Sequence, residues 1–158
     1  MEEGGGRMVR FEVVTEVGAP RERVFDASLD VELHTGSMAG SGERAVGGVT
    51  SGRLGPGDSV TWRGRHFGVP WRMTSRISGY LRPEWFVDEQ VRGPFRRWRH
   101  EHSFTTVAGG RTVMRDVVEF EAPFGPLGRL VSALALRRYM IRLIVSRSDY
   151  LRRQCEAG

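Results

Sequence analysis

Two neighbouring stretches, FRRWRHEHSF (Phe95–Phe104) and TVMRDVVEFEA (Thr112–Ala122), decide the fold of this chain. Each alternates in character with a period of two, which is typical of a half-buried strand. A glycine-rich turn, Ala108–Arg111, lies between them. The two stretches are therefore predicted to form a β-hairpin.

The inward face of this hairpin has an unusual composition. If Phe104 pairs with Met114, the antiparallel register places His102 opposite Asp116. Two imidazoles and a carboxylate then share one face with apolar side chains, the full set being Trp98, His100, His102, Phe104, Met114, Asp116, Val118 and Phe120. An ordinary core avoids such polar groups, whereas a ligand cavity can use them.

The composition is that of a single soluble domain. The chain has 158 residues, 39% of them hydrophobic, and we expect a disordered lead-in over 1–7 and one domain over 8–155. All 24 basic residues are arginine and the formal charge is +5. These arginines alternate with acidic residues on predicted strand faces, which indicates a solvated surface and no nucleic-acid partner.

The sequence predicts a cytoplasmic protein. Cys155 is the single cysteine, so no intrachain disulfide can form, and its place near the end argues against a catalytic thiol. The first residues do not resemble a signal peptide, and no apolar stretch is long enough for stable membrane insertion. The oligomeric state is left open.

The remaining pattern is a strand, two short helices, a long meander and a helix. Strands are predicted at Met8–Val17, Val46–Leu54, Ser59–Arg65, Val69–Gly79 and Trp85–Arg92, and short helices at Arg21–Ser28 and Val31–Met38. From Pro126 to about residue 154 the apolar period becomes helical, with a stripe at Leu127, Leu130, Val131, Leu134, Ile141, Ile144 and Val145. This long helix is expected to lie across the sheet.

The register of the strand Trp85–Arg92 has two solutions. If Gly93-Pro94 is a two-residue hairpin loop, Glu89 lies beside Trp98 on the inward face. A slip of one residue would instead turn Asp88 and Gln90 inward.

This order of elements, with several short motifs, resembles the SRPBCC (START/Bet v 1-like) superfamily. The motifs are Ala19–Phe25, Gly57–Trp62, Phe86–Gln90, Gly93–Phe95, His100–His102 and Ala122–Gly128, and they are similar to the bacterial polyketide cyclase/dehydrase-like branch. The resemblance implies an α+β helix-grip fold, in which a curved antiparallel sheet of about seven strands wraps around a long C-terminal helix. That scaffold hosts carriers, receptors and enzymes alike, so the fold does not fix the function.

A long helix over a curved sheet predicts an internal cavity. We expect it to bind a small hydrophobic or aromatic molecule, such as a polyketide-like, fatty-acyl or isoprenoid compound, in a carrier or a sensor. The expected ligand-binding residues are Trp62, Trp71, Met73, Ile77, Glu89, Trp98, His100, Phe104, Met114, Val118, Phe120, Leu134 and Ile141.

Two other functions fit the same residues. In an aromatase/cyclase-type enzyme His102 would be the general base and Asp116 would orient it. A protein-interaction scaffold with a collapsed cavity would bind no ligand. His100 and His102 could also hold a metal ion with Asp116, Glu89 or His66, but the H-x-H spacing is common, and we assign no metal and no cofactor.

Overall fold

The computed structural model describes residues 8–123 and 132–158. The elements in chain order are β1 Met8–Val17, α1 Arg21–Ser28, α2 Val31–Ser37, β2 Arg44–Gly48, β3 Ser59–His66, β4 Val69–Leu81, β5 Trp85–Arg92, β6 Phe95–Val107, β7 Arg111–Pro123 and α3 Ala133–Ala157. Short 3-10 turns occupy Ala39–Ser41 and Ala108–Gly110. No helix of these described ranges is long and apolar enough to cross a membrane.

The strands form one seven-stranded antiparallel sheet in the order β1-β7-β6-β5-β4-β3-β2. Register shifts interrupt the β2–β3 and β4–β5 pairs. Such bulges bend a strand and increase its twist. The sheet therefore curves, and α3 packs across it together with α1 and α2. The helix-grip α+β fold predicted from the sequence is confirmed.

Local sequence signals explain where the helices begin. The Asp30 side chain accepts a hydrogen bond from the Leu33 amide at 2.9 Å, and Ser132 accepts one from the Ala135 amide at 3.1 Å. Both are N-caps, which satisfy an amide that has no partner in the first turn. The first part of the predicted apolar stripe, Leu127 to Val131, lies outside the described residues.

Two segments differ from the predicted secondary structure. The second predicted strand, Val46–Leu54, is wrong in its extent, because β2 ends at Gly48, whose φ of 67° is left-handed. The buried face of α3 is also rotated from the predicted stripe. It consists of Leu136, Met140, Ile144, Arg147, Ser148, Leu151 and Cys155.

Two apolar clusters flank the space between the sheet and the helices. One joins α1 and α2 to the strands around Phe25, Phe86 and Phe104. The other joins the first half of α3 to β1, β6 and β7 around Trp98 and Phe120. These clusters hold the helices against the sheet and leave a cavity between them.

Candidate functional site

The cavity lies between the concave face of the sheet and α3, and it has a volume of about 130 Å³. Engineered cavities of similar size hold one benzene ring. Its wall is mainly aromatic and aliphatic, with Leu54, Val60, Trp62, Trp71, Met73, Ile77, Phe86, Phe95, Trp98, Met140, Leu143 and Ile144 among the lining residues. Polar lining residues include His34, Glu43, His66, Asp88, His100, His102 and Arg147.

The hairpin of β6 and β7 has the register predicted from the sequence. His102 pairs with Asp116, His100 with Val118, and Trp98 with Phe120. Nε2 of His100 is 2.8 Å from Asp116 Oδ1, and Nδ1 of His102 is 3.0 Å from the same oxygen. The second contact is an ion-pair distance without the alignment of a hydrogen bond. The imidazole rings stack, with centroids 3.7 Å apart.

The adjoining strand, β5, contributes Asp88 to this cluster. Asp88 pairs with His100 and Glu89 pairs with Arg99, so of the two registers left open by the sequence the one with Asp88 inward is present. The pairing of Glu89 with Trp98, and with it Glu89 as a ligand-binding residue, is wrong. Asp88 Oδ2 accepts a hydrogen bond from His102 Nε2 at 2.8 Å. Glu89 lies on the other face, with Oε1 4.0 Å from Arg99 Nε. A shift of one residue in register exchanges the two faces of a strand.

The side chain of Gln90 accounts for this shift. Its amide donates to the Phe95 carbonyl at 2.7 Å and accepts from the Phe95 amide at 3.2 Å. These bonds replace backbone pairing at the end of the hairpin. The connection is therefore longer than the two-residue turn that the sequence suggests.

Helix α3 adds a buried guanidinium. Arg147 is only 4% exposed, and its Nη2 donates to the carbonyl of Ser28 at 3.3 Å. Its Nη1 is 3.7 Å from Asp116 Oδ1. Ser148 also donates to Asp116, through Oγ at 3.4 Å from Oδ2. Asp116 is fully buried and lies at the centre of the cluster.

The buried charges of this cluster shift the pKa values of its members. Burial opposes a charge on His102, yet Asp116 and Asp88 outweigh it and raise its pKa above the ordinary value. Burial and the neighbouring charge of His102 lower the pKa of His100 to about 4. Burial also opposes ionisation of Asp88 and Asp116, but the histidines hold both pKa values below the ordinary range. The two carboxylates thus favour the charged form of His102 and face the Arg147 guanidinium, and His100 is neutral.

His100 is the part of the cluster that can accept a proton. An ionised carboxylate only accepts hydrogen bonds, so Nε2 of His100 carries its hydrogen and donates it to Asp116. Nδ1 then holds a lone pair. It has no hydrogen-bond partner within 8–123 and 132–158. His100 is also one of the residues that line the cavity.

The same residues have the composition of a metal site. Asp88, His100 and His102 each offer one ligand atom, and these atoms lie within 4.8 Å of one another. The third ligand would thus be Asp88, and Asp116, Glu89 and His66 are not in this set. However, Asp88 and His102 are bonded directly to each other, and Arg147 adds positive charge beside them. In the structure these side chains form an ion cluster with one another.

The other predicted site residues fall into two groups. Those that line the cavity are Trp62, Trp71, Met73, Ile77, Trp98, His100 and His102. The remainder are not among the lining residues. Phe104, Met114, Val118 and Phe120 lie in the apolar clusters, and Asp116 lies behind the histidines. Ile141 is half-buried, and Leu134 is 56% exposed. Leu134 is exposed because the buried face of α3 runs through Met140 and Ile144 instead.

Several polar residues of the cavity are missed by reading the sequence alone. Arg147 continues the helical spacing of Met140 and Ile144, and an arginine at a core position is the signal that could have identified it. His34 and Glu43 come from separate segments that only the fold brings together. No local spacing in the sequence relates them.

Comparisons with solved structures place the fold among known proteins. The aromatase/cyclase Zhui from Streptomyces sp. R1128 shares 17% identity with a TM-score of 0.74, over 95% of this chain and 94% of that one. A START superfamily protein from Mycobacterium smegmatis shares 13% identity with a TM-score of 0.72, over 94% and 97%. TTHA0849 from Thermus thermophilus shares 18% identity with a TM-score of 0.75, over 94% and 98%.

These comparisons confirm the predicted resemblance to SRPBCC proteins at the level of the fold. Identities of 13–18% support a shared fold and carry no residue roles. No protein-family model matches the chain, and no curated protein matches its sequence.

Proposed function

We propose that this protein binds one small, mainly apolar molecule in the cavity, as a carrier or a sensor, and orients it through a hydroxyl group. The observation that carries the proposal is His100, which lines a ring-sized cavity with mainly apolar walls and whose Nδ1 has no partner among the described residues. Aromatic walls supply affinity through burial. A single well-placed acceptor supplies orientation, because a ligand hydroxyl without a partner would lose its hydration.

The cavity volume favours ligands of about one ring. A cavity of about 130 Å³ is close to the size that holds benzene. A single-ring aromatic compound with a short alkyl chain is therefore the appropriate probe. Polyketide-like molecules with several rings, or long fatty-acyl chains, would require α3 or α2 to move outward.

The test compares 4-propylphenol with propylbenzene. Trp62, Trp71 and Trp98 line the cavity, so tryptophan fluorescence reports its occupation. The wild type is expected to bind the phenol more tightly. The His100→Phe variant keeps a stacked ring but loses the acceptor, and should weaken phenol binding about tenfold while propylbenzene binding stays unchanged. Glu89→Gln, on the opposite face of the sheet, is the matched control.

A failure to bind small molecules would contradict this function. If neither compound binds the wild type, and native mass spectrometry of the purified protein finds no bound small molecule, the cavity has no ligand role. A protein-interaction scaffold would then be the better explanation of the fold.

A second candidate function is a cyclase-type enzyme, and the observation that favours it is an imidazole at the cavity wall that Asp116 orients through a hydrogen bond. In the proposed step Nδ1 of His100, oriented by Asp116, removes a proton from the carbon next to a ketone. The resulting enolate carbon attacks a second carbonyl carbon, and the new alkoxide takes the proton back from His100. Two carboxylates raise the pKa of His102 and favour its charged form, so its proposed role shifts from base to a source of positive charge.

This second function has its own test. In D₂O, the protein should accelerate deuterium exchange at the carbons next to the ketone of 4-phenylbutan-2-one. Proton NMR measures the exchange rate. His100→Phe should return the exchange rate to that of buffer, whereas Glu89→Gln should retain it. A wild-type rate equal to that of His100→Phe would refute catalysis and leave ligand binding intact.

A further inference from the structure

A second polar cluster lines another part of the cavity. It is formed by His34 in α2, Glu43 just before β2, His66 at the end of β3 and Tyr139 in α3. Nε2 of His34 is 2.7 Å from Glu43 Oε1, and the His34 ring stacks on Trp62 with centroids 4.0 Å apart. His34, Glu43 and His66 all line the cavity, and the last two are buried.

The hydrogen atoms of this cluster can be assigned from its partners. Burial lowers the pKa of His66, which Glu43 opposes only in part, so the ring is neutral at pH 7. Burial raises the pKa of the Tyr139 phenol, which therefore keeps its hydrogen. Tyr139 and Nδ1 of His66 are hydrogen-bonded. The nearby carboxylate favours the tautomer with hydrogen on Nε2, so Tyr139 donates to Nδ1.

The contact between His66 and Glu43 is incomplete. Nε2 of His66 lies 3.8 Å from Glu43 Oε2, which is too long for a direct hydrogen bond. One oxygen atom at about 2.8 Å from both would complete it. That oxygen must accept from an N–H and donate to a carboxylate. A hydroxyl group does both, whereas a carbonyl, ether or carboxylate oxygen does not.

The two polar clusters lie along the same helix. Tyr139 and Arg147 are eight positions apart in α3, or about 12 Å at about 1.5 Å per residue. Met140, Leu143 and Ile144 line the cavity between them. Along α3, apolar lining residues therefore separate Tyr139 of one polar cluster from Arg147 of the other.

We propose that the ligand is difunctional, with a second hydroxyl that binds between Nε2 of His66 and Oε2 of Glu43. This inference rests on the proposed binding function and narrows its ligand class to an apolar ring or chain with a hydroxyl at each end. A water molecule could supply the same chemistry at this position. The experiment therefore has to separate a ligand hydroxyl from a retained water.

The matched ligands are 4-butylphenol and 4-(3-hydroxypropyl)phenol, which differ by one terminal methyl exchanged for a hydroxyl. Their dissociation constants are measured by tryptophan fluorescence for the wild type, His66→Phe, Glu43→Met and the control Glu89→Gln. We expect the wild type and the control to prefer the diol. In His66→Phe and Glu43→Met the preference should shift toward 4-butylphenol by about tenfold or more. Binding of 4-butylphenol itself should be retained, which shows that each variant is folded.

Two outcomes would overturn the inference, and they are distinguishable. In the first outcome the wild type binds both ligands and prefers 4-butylphenol, and the ratio of the two dissociation constants is the same in the variants. Water then occupies the position between His66 and Glu43, and only the second hydroxyl is refuted. If the wild type binds neither ligand, the proposed binding function fails, and the second hydroxyl fails with it.

Discussion

Protonation of the buried histidines should make the stability of the protein depend on pH in a specific way. The pKa of His100 falls from 6.5 in the unfolded chain to about 4 in the folded protein. Between these values the unfolded chain takes up a proton that the folded protein does not. Stability therefore decreases as the pH falls through this window, by roughly 3 kcal/mol for this residue.

The other titrating groups of the cavity set the limits of this window. His66 has a lowered pKa and adds to the same loss at acid pH. His102 has a raised pKa, so its contribution is complete below 6.5 and is lost as the pH rises through its folded value. Asp88, Asp116 and Glu43 have lowered pKa values, and their contributions are lost only below about pH 4. Stability should be greatest near pH 6.5.

The assay is urea denaturation at constant ionic strength from pH 4.5 to pH 8.5, followed by tryptophan fluorescence. Between pH 6.5 and 4.5 the wild type should lose more stability than His100→Phe, by roughly 2 to 3 kcal/mol. Glu89→Gln should follow the wild type. Parallel curves for the wild type and His100→Phe over this window would refute a neutral His100 in the folded protein.

Two further substitutions test the packing around the site. Asp116→Asn keeps the shape of the side chain but leaves His102 and Arg147 with one carboxylate fewer. The free energy of unfolding, measured by urea denaturation, should fall by about 3–5 kcal/mol, and the pKa of His102, measured by NMR titration, should fall too. An unchanged pKa of His102 would contradict the assigned ion cluster. Gly36→Ala should cost about 1 kcal/mol more than Gly40→Ala, because a Cβ at position 36 meets the Tyr150 phenol of α3, whereas nothing lies within 4 Å of a Cβ at position 40. Equal effects at both glycines would contradict the close approach of α2 and α3.

The sequence determines the hairpin register of β6 and β7 because a one-residue slip would bury Arg97 and Arg115. The structure confirms that register, including the pairing of His102 with Asp116. The register of β5 is less constrained, since acidic side chains occupy both of its faces at Asp88 and Glu89. It depends on the Gln90 side chain bonding to the Phe95 backbone, which is a tertiary detail that strand periodicity does not contain.

The position of α3 shows a different limit of sequence reasoning. A search for apolar residues at helical spacing selects Leu134 and Ile141, since it counts Arg147 and Ser148 as solvent-facing. The protein buries both polar residues because Asp116 and the Ser28 carbonyl accept their hydrogen bonds. A buried arginine is predictable only once its acceptors are known, and these lie more than thirty positions away in the chain.

The internal ion cluster is best explained by what it does to His100. Buried ion pairs add little net stability, since removing charges from water costs about as much as their attraction returns. In this cluster the carboxylates Asp88 and Asp116 face His102 and Arg147, and His100 remains neutral with no partner for its Nδ1 among the described residues. An apolar core of the same volume would provide a cavity without an acceptor. In the proposed binding function, the cluster therefore orients the His100 imidazole as one hydrogen-bond acceptor for a hydroxylated ligand in a cavity with mainly apolar walls.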